Sequence, residues 1–255
     1  YQHLVNHPIV NNYHFEKIVT SIYGVMDDPL LFFLSKKNKS KLIYVQHGGG
    51  YGLSKDHQAW QIEEDGAEKM LFWGTGDTNV YPTRYRNKYF SKINKEILII
   101  LDNKQNYDSI RPFIKLSENI NTNIKKRCIV VSHPNGLSFN NKYIQKGVGY
   151  RQHEKAQLVV YDRISQSLMY ARILSKRPFL VIDDNSNKAI TPLSENAVKF
   201  LSLLKEVGLL VSIEELNDSV MFWASFSPKE ASEIFSQKVQ QFFDNILGKP
   251  TIETL

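Results

Sequence analysis

Three short segments carry groups able to hold an anion, and each directly follows an apolar run. The first is Gln46-His47-Gly48-Gly49-Gly50-Tyr51-Gly52, with four glycines in five positions. Glycine frees the backbone for positive φ and for close approach by a ligand. The amides of Gly48, Gly49 and Gly50 therefore read as an anion or oxyanion cradle, with His47 at its lip. A tight turn without a ligand needs the same glycines, and that reading stays open. The second segment is Ser132-His133-Pro134-Asn135-Gly136. Pro134 biases His133 away from helix and fixes the loop, so the imidazole is held where it can stabilise a phosphate leaving group. Its alternative is a His-Pro turn running into an Asn-Gly turn. The third is Tyr161-Asp162-Arg163-Ile164-Ser165-Gln166-Ser167. Ser165 and Ser167 stand where cap and first-turn hydroxyls bond, at a helix end whose positive partial charge suits phosphate. Capping alone accounts for Ser165, but not for three polar turns at one edge of a sheet.

The elements needed to position these segments can be read from apolar periodicity. Strands are expected at Lys41 to Gln46, Lys69 to Trp73, Glu96 to Leu101, Arg127 to Ser132, Gln157 to Tyr161, Pro178 to Asp183 and Leu209 to Ser212. Helices are expected at about Tyr13 to Val25, shortly after Asp27-Asp28-Pro29, and at Ser54 to Ala67, Tyr107 to Asn119, Ser165 to Leu174 and Ser194 to Val207. Gly208 falls where a helix C-cap glycine belongs. Continuous apolar strands alternating with helices imply an α/β fold with parallel sheets covered on both faces. Ligands of such sheets bind beyond the carboxyl ends of the strands. The polar stretch Arg84 to Phe90 marks the connection between two units: an incomplete N-terminal acceptor-side unit, residues 1–90, and a C-terminal Rossmann-like donor-binding unit with a C-terminal helix, residues 91–255.

Composition excludes several classes. The 255 residues have an ordinary apolar fraction of 42%, so disorder is not expected. No apolar run approaches the roughly 20 residues that span a bilayer. The chain opens Tyr1-Gln2-His3 without methionine or a signal-peptide pattern, which leads one to expect a processed or trimmed piece and a cytoplasmic protein. Its single cysteine, Cys128, lies in an apolar run and reads as a small buried side chain. One cysteine makes neither an internal disulfide nor a Cys-rich metal site. The net charge of +6 includes clusters at Lys36 to Lys41 and Lys125 to Arg127. These read first as solvated surface; the alternatives are phosphorylated substrates or peripheral contact with an anionic inner membrane face. No motif accompanies them that would suggest nucleic acid. His57 with Asp56, Glu63 and Glu64 reads as helix surface rather than metal ligands, His3, His7 and His14 show no partner pattern, and His153 precedes a helix-to-strand transition with Arg151 close by. Asp183-Asp184 ends a strand, while Trp60, Phe72, Trp73, Phe222 and Trp223 read as core or interface packing.

Over roughly Lys41 to Asp183, the pattern resembles bacterial GT-B-type transferases of surface polysaccharides. The run Tyr44-Val45-Gln46-His47-Gly48-Gly49-Gly50-Tyr51-Gly52 looks like the motif of the LIC12162 family. Ser132-His133-Pro134 and Leu158 to Ser167, through Lys176-Arg177-Pro178, are similar to the donor half of CDP-glycerol glycerophosphotransferases and of transferases using CMP-activated sugars. The resemblance implies a glycosyltransferase with a CMP- or CDP-linked sugar as co-substrate, a glycan or lipid-linked acceptor, and neither cofactor nor metal. It implies His47 and His133 as catalytic residues, His47 as base and His133 at the donor phosphate. Gly48, Gly49, Gly50, Pro134, Asn135, Asp162, Arg163, Ser165 and Ser167 would line the donor site. The Ser-Gln-Ser of the third segment departs from the Ser-Ser or Gly-Thr pair of those relatives.

Two other readings compete. The His47-Gly48-Gly49-Gly50 run also resembles the oxyanion loop of lipases and esterases. That chemistry needs a Gly-x-Ser-x-Gly elbow, and no serine here has glycines at both flanking positions. A non-catalytic nucleotide-sugar-binding or scaffold domain is the main rival, since fold alone does not decide function.

Overall fold

The run Ile97-Leu98-Ile99-Ile100-Leu101 is buried at every position, as are Leu158–Tyr161 and Phe179–Ile182. A strand with no polar face has to be covered on both sides, which is the condition for a parallel sheet between helical layers. The structure, a computed structural model, describes residues 8, 12–20, 34–45, 66–71, 93–101, 122–132, 144–147, 150–164, 169, 172–173, 175–183 and 193–247. Among them lie two sheets, both parallel throughout, so the chain is α/β with Rossmann-like units.

The smaller sheet has the order β1 (Lys17–Thr20), β2 (Lys41–Val45), β3 (Lys69–Leu71). Its core is Ile18, Leu34, Leu42 and Tyr44, with Phe15, Ala67 and Met70 packed alongside. The first strand is a correction. A helix is expected over Tyr13 to Val25, yet Lys17–Thr20 pairs with Lys41–Tyr44, and its side chains alternate between exposed and buried. Ile18, Val19 and Thr20 are β-branched, and that alternation has period 2, so strand pairing outweighs the helical spacing of the longer window. Residues 34–38 are helical, as expected after Pro29.

The larger sheet comprises β4 (Ile97–Leu101), β5 (Cys128–Ser132), β6 (Ile144–Lys146), β7 (Leu158–Tyr161), β8 (Phe179–Ile182) and β9 (Leu210–Val211). Its spatial order is β6-β5-β4-β7-β8-β9. Counted within this unit, that is 3-2-1-4-5-6, the doubly wound order of dinucleotide-binding domains. Five of these strands match the sequence expectation; β6 does not, because Ile144–Lys146 offers only three residues and lacks an apolar run. Between the strands run α1 (Thr122–Lys125), α2 (Tyr150–Lys155) and α3 (Glu195–Glu206), and after them α4 (Leu216–Ser225) and α5 (Pro228–Leu247). Ala197, Phe200 and Leu204 of α3, Val220 and Trp223 of α4, and Phe235 and Val239 of α5 join the strands in one core.

Local signals fix the ends of these helices. The Ser194 hydroxyl accepts from the Ala197 amide at 3.1 Å and caps α3. The same helix stops at Gly208, whose φ of +72° is reached without strain only by glycine. Leu209 N–H donates to Leu204 O at 2.8 Å and Gly208 N–H to Lys205 O at 3.0 Å, the two bonds of a Schellman closure. No helix among the described residues is long and apolar enough to cross a membrane.

Candidate functional site

A doubly wound sheet has one place where neighbouring strands lead their connections in opposite directions, and here it lies between β4 and β7. The register sets what stands there. Ile100 is paired with Val131 on one side and Tyr161 on the other, and Tyr161 is paired with Val181. One step further along, Leu101 is level with Ser132. The Asp162 N–H reaches Ile100 O at 3.3 Å, which carries the ladder to the carboxyl edge. Asp162 is buried and Arg163 half-buried as the chain leaves the sheet. β5 ends in the same row, at Ser132, two strands and so about 10 Å from β7.

Of the residues expected in the donor site, Asp162 and Arg163 are thus at the switch point. His47, Gly48, Gly49, Gly50, His133, Pro134, Asn135, Ser165 and Ser167 lie outside the described residues. The strands leading to the glycine and histidine segments are in place: β2 ends at Val45, and β5 ends at the buried Ser132, whose carbonyl accepts from Gly147 N–H at 2.9 Å. Asp183, at the end of β8, is exposed and donates its N–H to Val211 O at 2.8 Å. No group of three or more His, Cys, Asp or Glu among the described residues could hold a metal ion. Cys128 is half-buried rather than fully enclosed, and burial pushes its thiol up to about 11, with Arg127 opposing.

Beneath the switch point lies a buried polar cluster that no sequence motif marks. His153 of α2 is fully buried, and its Nε2 is 2.6 Å from the Tyr161 hydroxyl. Its Nδ1 is 3.5 Å from Glu154 Oε1. Burial drives the imidazole down to about 4; Glu154 opposes the shift, while Arg172 and Arg177 assist it. His153 is therefore neutral near pH 7. Arg172, also fully buried, spends its guanidinium on four carbonyls: His153 at 3.2 Å, Ala156 at 2.9 Å, Gln157 at 3.1 Å and Pro178 at 2.7 Å. It clamps the entries of β7 and β8. Burial lowers its pKa to about 10, which leaves it charged at neutral pH.

A second network ties the same edge to α4. Gln157 Nε2 donates to Trp223 O at 3.0 Å and Phe226 O at 2.9 Å, while its Oε1 accepts from Arg127 Nη2 at 2.7 Å. Trp223 is core, as expected, whereas Phe222 is exposed and meets Lys238 at 5.4 Å in a cation–π contact. The signal for the buried cluster in the sequence is slight: a His-Glu pair in a short helix, followed eight residues later by the tyrosine ending a strand.

No protein-family model and no curated protein matches the sequence. Among solved structures, the chain is similar to the spinosyn rhamnosyltransferase SpnG, with a TM-score of 0.39 at 8% identity, over 83% of this chain and 66% of that one. It is also similar to the glycotransferase of kitacinnamycin, with a TM-score of 0.45 at 9% identity over 83% of this chain and 70% of that one. A third is WaaG, a glycosyltransferase involved in lipopolysaccharide biosynthesis, with a TM-score of 0.36 at 11% identity over 97% of this chain and 80% of that one. The chain spans 66% of the rhamnosyltransferase's length. With TM-scores below 0.5, the architecture rests on the strand order and register themselves.

Proposed function

We propose that the chain is a glycosyltransferase of GT-B type that moves a sugar from a nucleotide-activated donor, CMP- or CDP-linked, to a surface-glycan acceptor. The observation that carries the reading is the 3-2-1-4-5-6 parallel sheet with Asp162 and Arg163 at its switch point. A sheet of this order presents a crevice for a nucleotide at that point, and an arginine there supplies counter-charge to a phosphate. The finer assignment adds the three sequence segments. His47 removes the acceptor hydroxyl proton as the nucleotide phosphate departs. His133, Ser165, Ser167 and the helix amides take up the negative charge developing on the leaving group. With that counter-charge supplied by protein, no metal is required.

The domain division at residues 1–90 and 91–255 and the narrower family read from Tyr44 to Gly52 belong to the same proposal. So does peripheral contact with an anionic membrane face. Lys36, Lys37, Lys39 and Lys41 stand at and just before the start of β2.

Calorimetric titration with CMP, CDP, UDP, GDP and ADP tests the reading on the native chain and on Asp162→Asn, Arg163→Ala, His133→Ala and Ser165→Ala. A cytidine nucleotide that binds the native protein and binds these variants more weakly supports it. If none of the five binds, the donor-site assignment falls, and with it the transferase reading.

A further inference from the structure

Asp162 and Arg163 can contact a ligand reproducibly only if the turn that carries them is held, and it follows directly on the end of β7, where Asp162 N–H reaches Ile100 O at 3.3 Å. The residue just before the turn is Tyr161, whose side chain is fully buried. Its hydroxyl lies 2.6 Å from His153 Nε2, and its ring packs against Phe179 with centroids 6.1 Å apart. His153 is itself on a fixed platform. Gln152, its neighbour in α2, exchanges amide hydrogen bonds with Gln145 of β6 at 2.9 and 3.3 Å, and the His153 carbonyl accepts from Arg172 at 3.2 Å. Glu154 Oε1 lies 3.5 Å from Nδ1, and the Nε2 side of the imidazole shares its hydrogen bond with the tyrosine hydroxyl.

We infer that His153 is a positioning residue, which fixes the Asp162–Arg163 turn at the switch point by holding Tyr161. It touches no ligand itself. Breaking this short, fully buried hydrogen bond would be costly, so Tyr161 and the imidazole keep one relative geometry, and the turn inherits it. A purely structural role would stabilise the whole sheet equally. A positioning role acts at the turn.

Tyr161→Phe separates the two while keeping the ring, and His153→Gln provides the second variant. The primary readout is amide hydrogen exchange. The expected result is exchange at Asp162 and Arg163 about tenfold faster in either variant, with Leu98 and Ile99 of β4 unchanged. Equal acceleration in β4, or no acceleration at the turn, overturns the inference. The second readout rests on the proposed donor site: CDP and UDP affinities should fall in both variants, and a freed turn that still binds the nucleotide as tightly as the native chain also overturns it. If neither nucleotide binds the native protein, that failure belongs to the donor-site reading, and the exchange comparison still decides whether His153 and Tyr161 hold the turn.

Discussion

His153 and Arg172 show how much of this unit hangs on single buried side chains. The neutral imidazole has a pKa of about 4 against an ordinary 6.5, because burial penalises its charged form. The unfolded chain therefore takes up a proton at higher pH than the folded one. This favours unfolding progressively as pH falls from 6.5 towards 4, whereas above 6.5 His153 contributes no pH dependence. Between pH 7.5 and pH 5 the native protein should lose about 2 kcal/mol through this group; urea unfolding at both values should show a smaller loss in His153→Gln, and an identical loss would contradict the shift. Arg172→Met is expected to cost about 3–5 kcal/mol, because four carbonyls at the entries of β7 and β8 lose their donor together. A thermal midpoint close to native would show that water serves those carbonyls as well. These two residues are hardly legible in the sequence, since a histidine and an arginine in short helical stretches carry no spacing that marks them as buried.

The helices of the C-terminal third are delimited by short-range chemistry that can be read directly. Ser212 and Glu215 exchange bonds across the turn entering α4, Ser212 N–H to Glu215 Oε2 at 3.0 Å and Glu215 N–H to Ser212 Oγ at 3.2 Å. Ser227 and Glu230 repeat the box at α5, at 2.8 and 3.3 Å. Both boxes are Ser-x-x-Glu in the sequence, and the second has Pro228 at the first helical position. Apolar periodicity alone foretold only a C-terminal helix without bounds, whereas these boxes mark the turn before α4, which begins at Leu216, and the start of α5. Ser227→Ala should destabilise the protein by about 1 kcal/mol, and an unchanged midpoint in chemical denaturation would count against the cap. Gly208→Ala should cost about 1 kcal/mol or more, because alanine has to adopt a φ of +72° although nothing crowds its Cβ. The contrary lesson is β1: Ile18 and Thr20 face the core only because β2 lies beside them, and the sequence window holding them also has helical spacing.

Across the whole molecule, the described residues form two hydrophobic clusters, one drawn from residues 15–70 and the other from 97–239. The larger cluster draws on five of the six strands of its sheet and on the helices packed against them, which is the composition of a self-sufficient core. A fragment of residues 91–255 should accordingly unfold in one cooperative thermal transition. A fragment without a transition would mean that residues 1–90 complete its core. The sequence by itself determined the fold class and most of the strands, because a strand covered on both faces must be apolar throughout, and runs such as Ile97–Leu101 and Leu158–Tyr161 have no other use. It also determined that Asp162 and Arg163 leave the end of a strand. Only the tertiary structure decided which strands are neighbours. The order β6-β5-β4-β7-β8-β9 depends on pairings between segments tens of residues apart, for which local propensity carries no information. That order turns an ordinary polar turn after β7 into the residues at the switch point, and it places His153 against Tyr161 beneath them.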